Sequence, residues 1–183
     1  KKNKVKKFIY LSSSKVITEN SNKLILEDDK PNPKTEYAKS KLKSENFLLN
    51  FSRKSQIDVI CLRPTLVYGS GCKGNLKNLL KLSKMNLLPE ITNIKNRVSL
   101  IHVKDLSNAI IKVIFNKKKR LKIFTLTGPK DLSIVEIVNL MRFNSNKKKS
   151  FFNLNLQFLY IIRTIFRKIN FNNVFNRAIF LID

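Results

Sequence analysis

Tyr37 and Lys41 stand four residues apart in "TEYAKSK", residues 35–41. On a helix that spacing puts both on one face, so a phenol and an ammonium can converge on one ligand. A free phenol ionises near ~10, too high for a base at neutral pH, and a neighbouring ammonium favours its phenolate form. Such a pair can take a proton from a hydroxyl. The spacing alone does not establish this chemistry. The chain has four tyrosines, and lysine fills about one position in six, so the same pattern also arises by chance. His102 is the one histidine, in an apolar run before a helix, and reads as structural. Cys61 and Cys72 are too few for a disulfide framework or a metal site, and they fit a reducing, cytoplasmic setting.

The elements that must position the pair can be read along the chain. "VKKFIYLSSS" is a short β run ending in a polar turn, and "EDDKPNPKTE" is a loop. Thr35 offers an N-cap for a helix to about Ser52. "IDVICLRP", apolar on both faces, reads as a buried parallel strand stopped by Pro64. Strand, helix and strand in series suggest a crossover unit. A helix is expected over 75–84. "VSLIHV" is a short apolar run, with Asp105 as the expected cap of a helix over 106–115. "KIFTLTG" is a third β run, and Ser133 with Glu136 forms a capping box for a helix through Met141. Residues 154–168 and 172–182 read as apolar helices studded with Arg and Lys, and "FLYIIRTIFRKI" could either pack as a helix or lie on a membrane surface as a basic amphipathic one.

The 183 residues suit one domain with a real core. The net charge of +25 points to nucleic acid or an anionic surface, or to a lysine-rich compositional drift. Arginine, the better reader of base edges, supplies only eight of the 37 cations, so specific nucleic-acid binding is not expected. The first apolar run is too short for a signal-peptide core or a bilayer span.

In this order, "FIYLSSSKV", "EYAKSKLKSE", "CLRPTLVYGSG", "RVSLIHVKDLSNAI" and "FTLTGPKDLSIVEIVNLM" resemble the extended short-chain dehydrogenase/reductase family, especially its nucleotide-sugar epimerases and dehydratases. The matches cover about residues 5–142. "KVITE", "GCKGNLKNLLKL" and "IKNR" further resemble the subgroup acting on UDP-N-acetylhexosamines and related sugars.

The resemblance implies an α/β fold: the C-terminal part of a Rossmann-like parallel sheet with a small substrate-binding lobe. Residues 1–63 would carry the Ser turn and the Tyr-x-x-x-Lys helix, and 64–183 mainly substrate-lobe segments. It implies that Tyr37 and Lys41 are a catalytic pair that also binds NAD or NADP, Lys41 reaching the nicotinamide ribose. Counting back from Val16 selects Ser13 as the hydroxyl donor to the reacting sugar oxygen, with Ser14 as the alternative. The turn beginning at Pro64 would shape the nicotinamide pocket, and Arg63 reads as structural. Arg97 is a candidate for the substrate diphosphate, although the family's arginine usually stands where this chain has Val98. Asn75 could contact sugar or uracil, or cap its helix.

The family's Gly-rich turn, which holds the dinucleotide pyrophosphate at a helix N-terminus, has no counterpart here. The four glycines, at 69, 71, 74 and 128, all follow the Tyr-Lys helix. The expected function is epimerisation or 4-keto reduction at C4 of a UDP-sugar (UDP-glucose or a UDP-N-acetylhexosamine), by a fragment whose cofactor site is incomplete. A separately encoded N-terminal half or a homodimer would be its protein partner. The alternatives are a catalytically silent remnant and a basic module for nucleic acid or anionic membranes.

Overall fold

The computed structural model describes residues 5–154 apart from 20–23, 56, 73–74, 87–89, 92–95, 117–121 and 146–152. The helices expected beyond Leu154 lie outside the described residues. The chain divides into two compact units, each discontinuous in sequence: Lys1–Gly69 with Leu100–Pro129, and Ser70–Ser99 with Lys130–Asp183.

The first unit is built on a parallel sheet of β1 (Lys7–Leu11), β2 (Asp58–Pro64) and β6 (Lys122–Leu126), in the order β1-β2-β6. Phe8 pairs with Val59, Tyr10 with Cys61, and Cys61 with Ile123. The central strand is buried from Val59 to Pro64, which is why its sequence is apolar on both faces. Helix α1 (Glu36–Lys54) connects β1 to β2. Its Thr35 cap accepts from the Ala38 amide, with Glu36 in the first turn and Arg53 and Lys54 in the last, all favourable to the helix dipole.

One buried contact pins α1 to this sheet. Arg63 donates from Nε and one terminal nitrogen to the two Glu45 carboxylate oxygens, at 2.9 and 2.7 Å. Both side chains are almost wholly buried, so the fork-to-carboxylate geometry offsets two desolvated charges.

A two-strand parallel pair, β3 (Leu66–Tyr68) with β5 (Leu100–His102), belongs to the same unit. β5 runs directly into α3 (Val103–Phe115), so the helix starts three residues before the expected point. His102 replaces Asp105 as its cap, Nδ1 accepting from the Lys104 amide at 3.2 Å. Asp105 instead lies in the first turn. At the other end of α3, the Lys7 ammonium donates to the carbonyls of Val113, Ile114 and Asn116. It thereby satisfies carbonyls that a helix end leaves unpaired. Gly128 is required where its amide donates to the Leu100 carbonyl, because a Cβ would collide with that same oxygen.

The second unit contains α2 (Asn75–Lys84), α4 (Ile134–Asn144) and a short pair, β4 (Glu90–Ile91) with β7 (Asn153–Leu154). α2 buries Leu76, Leu79 and Ser83 and packs against α4. The α4 capping box is present as read from the sequence: Ser133 accepts from the Glu136 amide, and Glu136 accepts from the Ser133 amide. The Asn96 side chain accepts from the Ile134 amide, satisfying a further donor at that helix start. Among the described residues, no helix is long and apolar enough to cross a membrane.

Candidate active site

Parallel α/β sheets place ligands beyond the carboxyl ends of their strands. At that end of β1 the chain turns through Ser12 and Ser13 into a single 3-10 turn, Ser14–Val16. Val16 and Ile17 are buried and anchor the turn. The Asn32 amide donates to the carbonyls of Val16 and Ile17, drawing in the segment that leads to α1. Glu19 then accepts from both the amide and the hydroxyl of Thr35. The serine turn and the start of α1 are thus tied together by backbone and carboxylate hydrogen bonds.

Tyr37 sits in the first turn of α1 and is 53% exposed, so its phenol is open to a ligand. The Lys41 ammonium lies 5.8 Å from the centre of the Tyr37 ring. It donates to the Leu11 carbonyl at the end of β1, at 2.9 Å. It also lies 5.0 Å from the centre of the Tyr10 ring. Tyr37 and Lys41 therefore share one helix face, and from it Lys41 reaches the end of β1.

Ser13 accepts from the Lys15 amide at 3.3 Å, which leaves its own hydroxyl proton free to donate. Ser14 is the first residue of the 3-10 turn. Ser12 is the buried member of the run, and its hydroxyl has no hydrogen-bond partner among the described residues. The Thr65 hydroxyl, just past the end of β2, is likewise buried and unpartnered. Pro64 closes β2 opposite Leu126, and the Thr65 amide donates to Leu126. Neither buried hydroxyl was singled out from sequence, since burial depends on register.

The remaining two candidates lie in the second unit. Asn75 is the first residue of α2. Arg97 donates to the Asp131 carbonyl at 3.2 Å and faces the Glu136 carboxylate at 3.4 Å, with its side chain 63% exposed. Glu136 ionises below the usual carboxylate range, first because it accepts from the Ser133 backbone, with Lys130 and Arg97 adding smaller favourable charges. Val98 lies in a bridge with Leu132, exchanging backbone hydrogen bonds in both directions.

Burial pushes the Cys61 thiol up to about 11, and the Glu45 carboxylate adds to the effect against the Arg63 charge. Cys61 is accordingly a core residue rather than a nucleophile. Among the described residues no cluster of His, Cys, Asp or Glu could hold a metal ion.

Fold and site together define an α/β protein with a Tyr-Lys helix packed over the carboxyl end of a parallel strand. The family model for the NAD dependent epimerase/dehydratase family matches residues 1–126. The chain belongs to that family. It is 33% identical over 139 residues to a UDP-glucose 4-epimerase of Vibrio cholerae, an alignment covering 73% of this chain and 42% of the relative. It superposes on the crystal structure of a UDP-glucuronic acid 4-epimerase from Bacillus cereus in complex with NAD, with a TM-score of 0.71 and 23% identity. That match covers 81% of this chain and 49% of the other. A UDP-glucose 4-epimerase from Thermotoga maritima with UDP-glucose gives a TM-score of 0.68 at 20% identity, over 82% and 50% of the two chains. The two structural matches establish the Rossmann-like fold. The chain spans about half the length of the relatives it matches.

The residues present fit one end of a nicotinamide dinucleotide. Lys41 uses one of its donors on Leu11 and has two more for ribose hydroxyls. The Ser12 and Thr65 hydroxyls, unpartnered among the described residues, follow the carboxyl ends of β1 and β2, and the Tyr37 side chain is exposed. The sequence holds no Gly-rich turn for the pyrophosphate.

Proposed function

We propose that this chain carries the Tyr-Lys and substrate-side portion of an NAD-dependent enzyme acting at C4 of a UDP-sugar, by epimerisation or 4-keto reduction. The observation that carries this proposal is the approach of the Lys41 ammonium to both the Tyr37 ring and the end of β1, in a chain of this family. Tyr37 takes the proton from the sugar C4 hydroxyl and returns it. Lys41 orients the nicotinamide ribose through its ammonium donors. Ser13 donates its hydroxyl to the reacting oxygen, and Pro64 shapes the wall of the nicotinamide pocket. When bound, NAD or NADP would accept hydride from the sugar carbon and, once reduced, return it. Arg97 binds the substrate diphosphate after exchanging its Glu136 contact for phosphate oxygens, and Asn75 contacts the sugar or uracil.

The pyrophosphate-binding turn comes from outside these 183 residues, in the same polypeptide or in a separately encoded one. Losing even ~5 kcal/mol of dinucleotide binding weakens affinity more than a thousandfold. The 183 residues alone therefore convert no sugar. The test incubates the purified chain with UDP-glucose or UDP-N-acetylglucosamine and NAD or NADP, then assays the C4 epimer and reduced nicotinamide. No turnover is expected; turnover by the chain unaided would show that its cofactor site is complete. Tight, sequence-specific DNA binding at physiological salt would favour a basic binding module instead.

A further inference from the structure

We propose that Tyr10 is a positioning residue for Lys41, a role resting on the function proposed for Lys41. Lysine ends in a compact charge on a flexible four-carbon stem, and one hydrogen bond fixes its distance from a carbonyl but not its direction. Among the described residues Lys41 has that one bond, to Leu11. The second restraint is the Tyr10 ring, whose centre lies 5.0 Å from the ammonium and nearer than that of Tyr37 at 5.8 Å. An aromatic face attracts a cation at this range through its quadrupole.

Tyr10 is well placed to serve as a fixed seat. It belongs to β1, where it is paired with Cys61 of the buried central strand. Its side chain is half-buried and, with Phe8, Phe47 and Leu48, lines a groove of about 550 Å³ between β1 and α1. The backbone that carries Tyr10 also presents the Leu11 carbonyl, so two adjacent residues of one strand hold the ammonium from two directions. Lys122 also lies over a ring, that of Phe124, but it has one aromatic neighbour two residues away on its own strand. Lys41 joins two rings and a carbonyl across two elements. Tyr10 acts through Lys41 and has no assigned contact with substrate.

The test is the nuclear magnetic resonance signal of the Lys41 ε-methylene in the full chain. In the parent protein ring currents displace it from the position of a free lysine. Tyr10→Phe keeps the ring and should keep the displacement. Tyr10→Leu keeps bulk without the ring and should lose most of it, with backbone amide spectra otherwise little changed. If Tyr10→Leu fails to fold, Lys41→Met supplies the reciprocal reading: the Tyr10 ring resonances should move, whereas in Lys39→Met they should stay. An unmoved Lys41 signal in Tyr10→Leu, its loss in Tyr10→Phe, or unmoved Tyr10 resonances in Lys41→Met would overturn the proposal. Failure of sugar turnover in a completed enzyme would sink the proposed function and leave this contact standing.

Discussion

Replacing Glu45 by glutamine should unfold this protein far more readily than its conservative size suggests. The substitution keeps the volume and one acceptor but removes the charge opposite Arg63. Arg63 and Glu45 side chains are 5% and 1% exposed, and their two hydrogen bonds of 2.9 and 2.7 Å leave little room for water. Stranding one member of such a pair costs about 3–5 kcal/mol, and glutamine's remaining acceptor places the expected loss near ~3 kcal/mol. With a urea dependence of about 1–3 kcal/mol per molar, the unfolding midpoint should fall by about 1–3 M. Circular dichroism of the two proteins across a urea series reads this directly. The double variant Glu45→Leu with Arg63→Met, which removes both charges and keeps apolar bulk, should recover most of the loss. An unchanged midpoint in Glu45→Gln would refute the reasoning, since it would mean that the pair is solvated and does not fasten α1 to β2.

Other consequences follow from single contacts. Cys72 should react with a thiol reagent in the native protein and Cys61 only on unfolding, because Cys61 is fully buried and its thiol is raised to about 11. The raised value also means that the unfolded chain loses this proton first. Stability should therefore decline as pH rises from 9.0 towards about 11, and Cys61→Ala should flatten that decline in pH-dependent urea titrations. Glu136 has the opposite sign: its carboxyl is lowered from 4.5, so its contribution is present above that pH and is lost as pH falls below it. Amide exchange at the start of α4 should accelerate in acid, and Glu136→Gln should remove most of that dependence. Gly69→Ala should cost about 1–3 kcal/mol in urea unfolding, because φ is +134° and the new methyl would lie 2.6 Å from the Val103 side chain. Gly71→Ala, with open space at φ +77°, should cost less.

The long elements were legible because their signals are local. Thr35 caps α1 and Ser133 with Glu136 caps α4, both within a few residues of the helices they start. The apolar run of β2 announced a buried parallel strand, and Tyr37 and Lys41 follow from helical spacing. What stayed hidden depends on partners distant in sequence. β3 has only three residues and exists by pairing with β5, which lies more than 30 residues later. The same pairing makes His102 rather than Asp105 the cap of α3, since β5 ends where the helix begins. No local pattern links Lys7 to the end of α3, or Glu45 to Arg63. Lys41 was legible as a neighbour of Tyr37, but its bond to Leu11 and its approach to Tyr10 depend on how α1 lies on β1.

The proposed function has Tyr37 move a proton in a UDP-sugar epimerase built partly from these residues. The test fuses to this chain the part of the Vibrio cholerae UDP-glucose 4-epimerase that it does not match and measures interconversion of UDP-glucose and UDP-galactose. The account predicts turnover in a folded, NAD-binding fusion. Tyr37→Phe should cut that turnover by about 10²–10⁴-fold while UDP-sugar binding is retained, as loss of a general base requires. Equal turnover with tyrosine or phenylalanine at position 37 would contradict it.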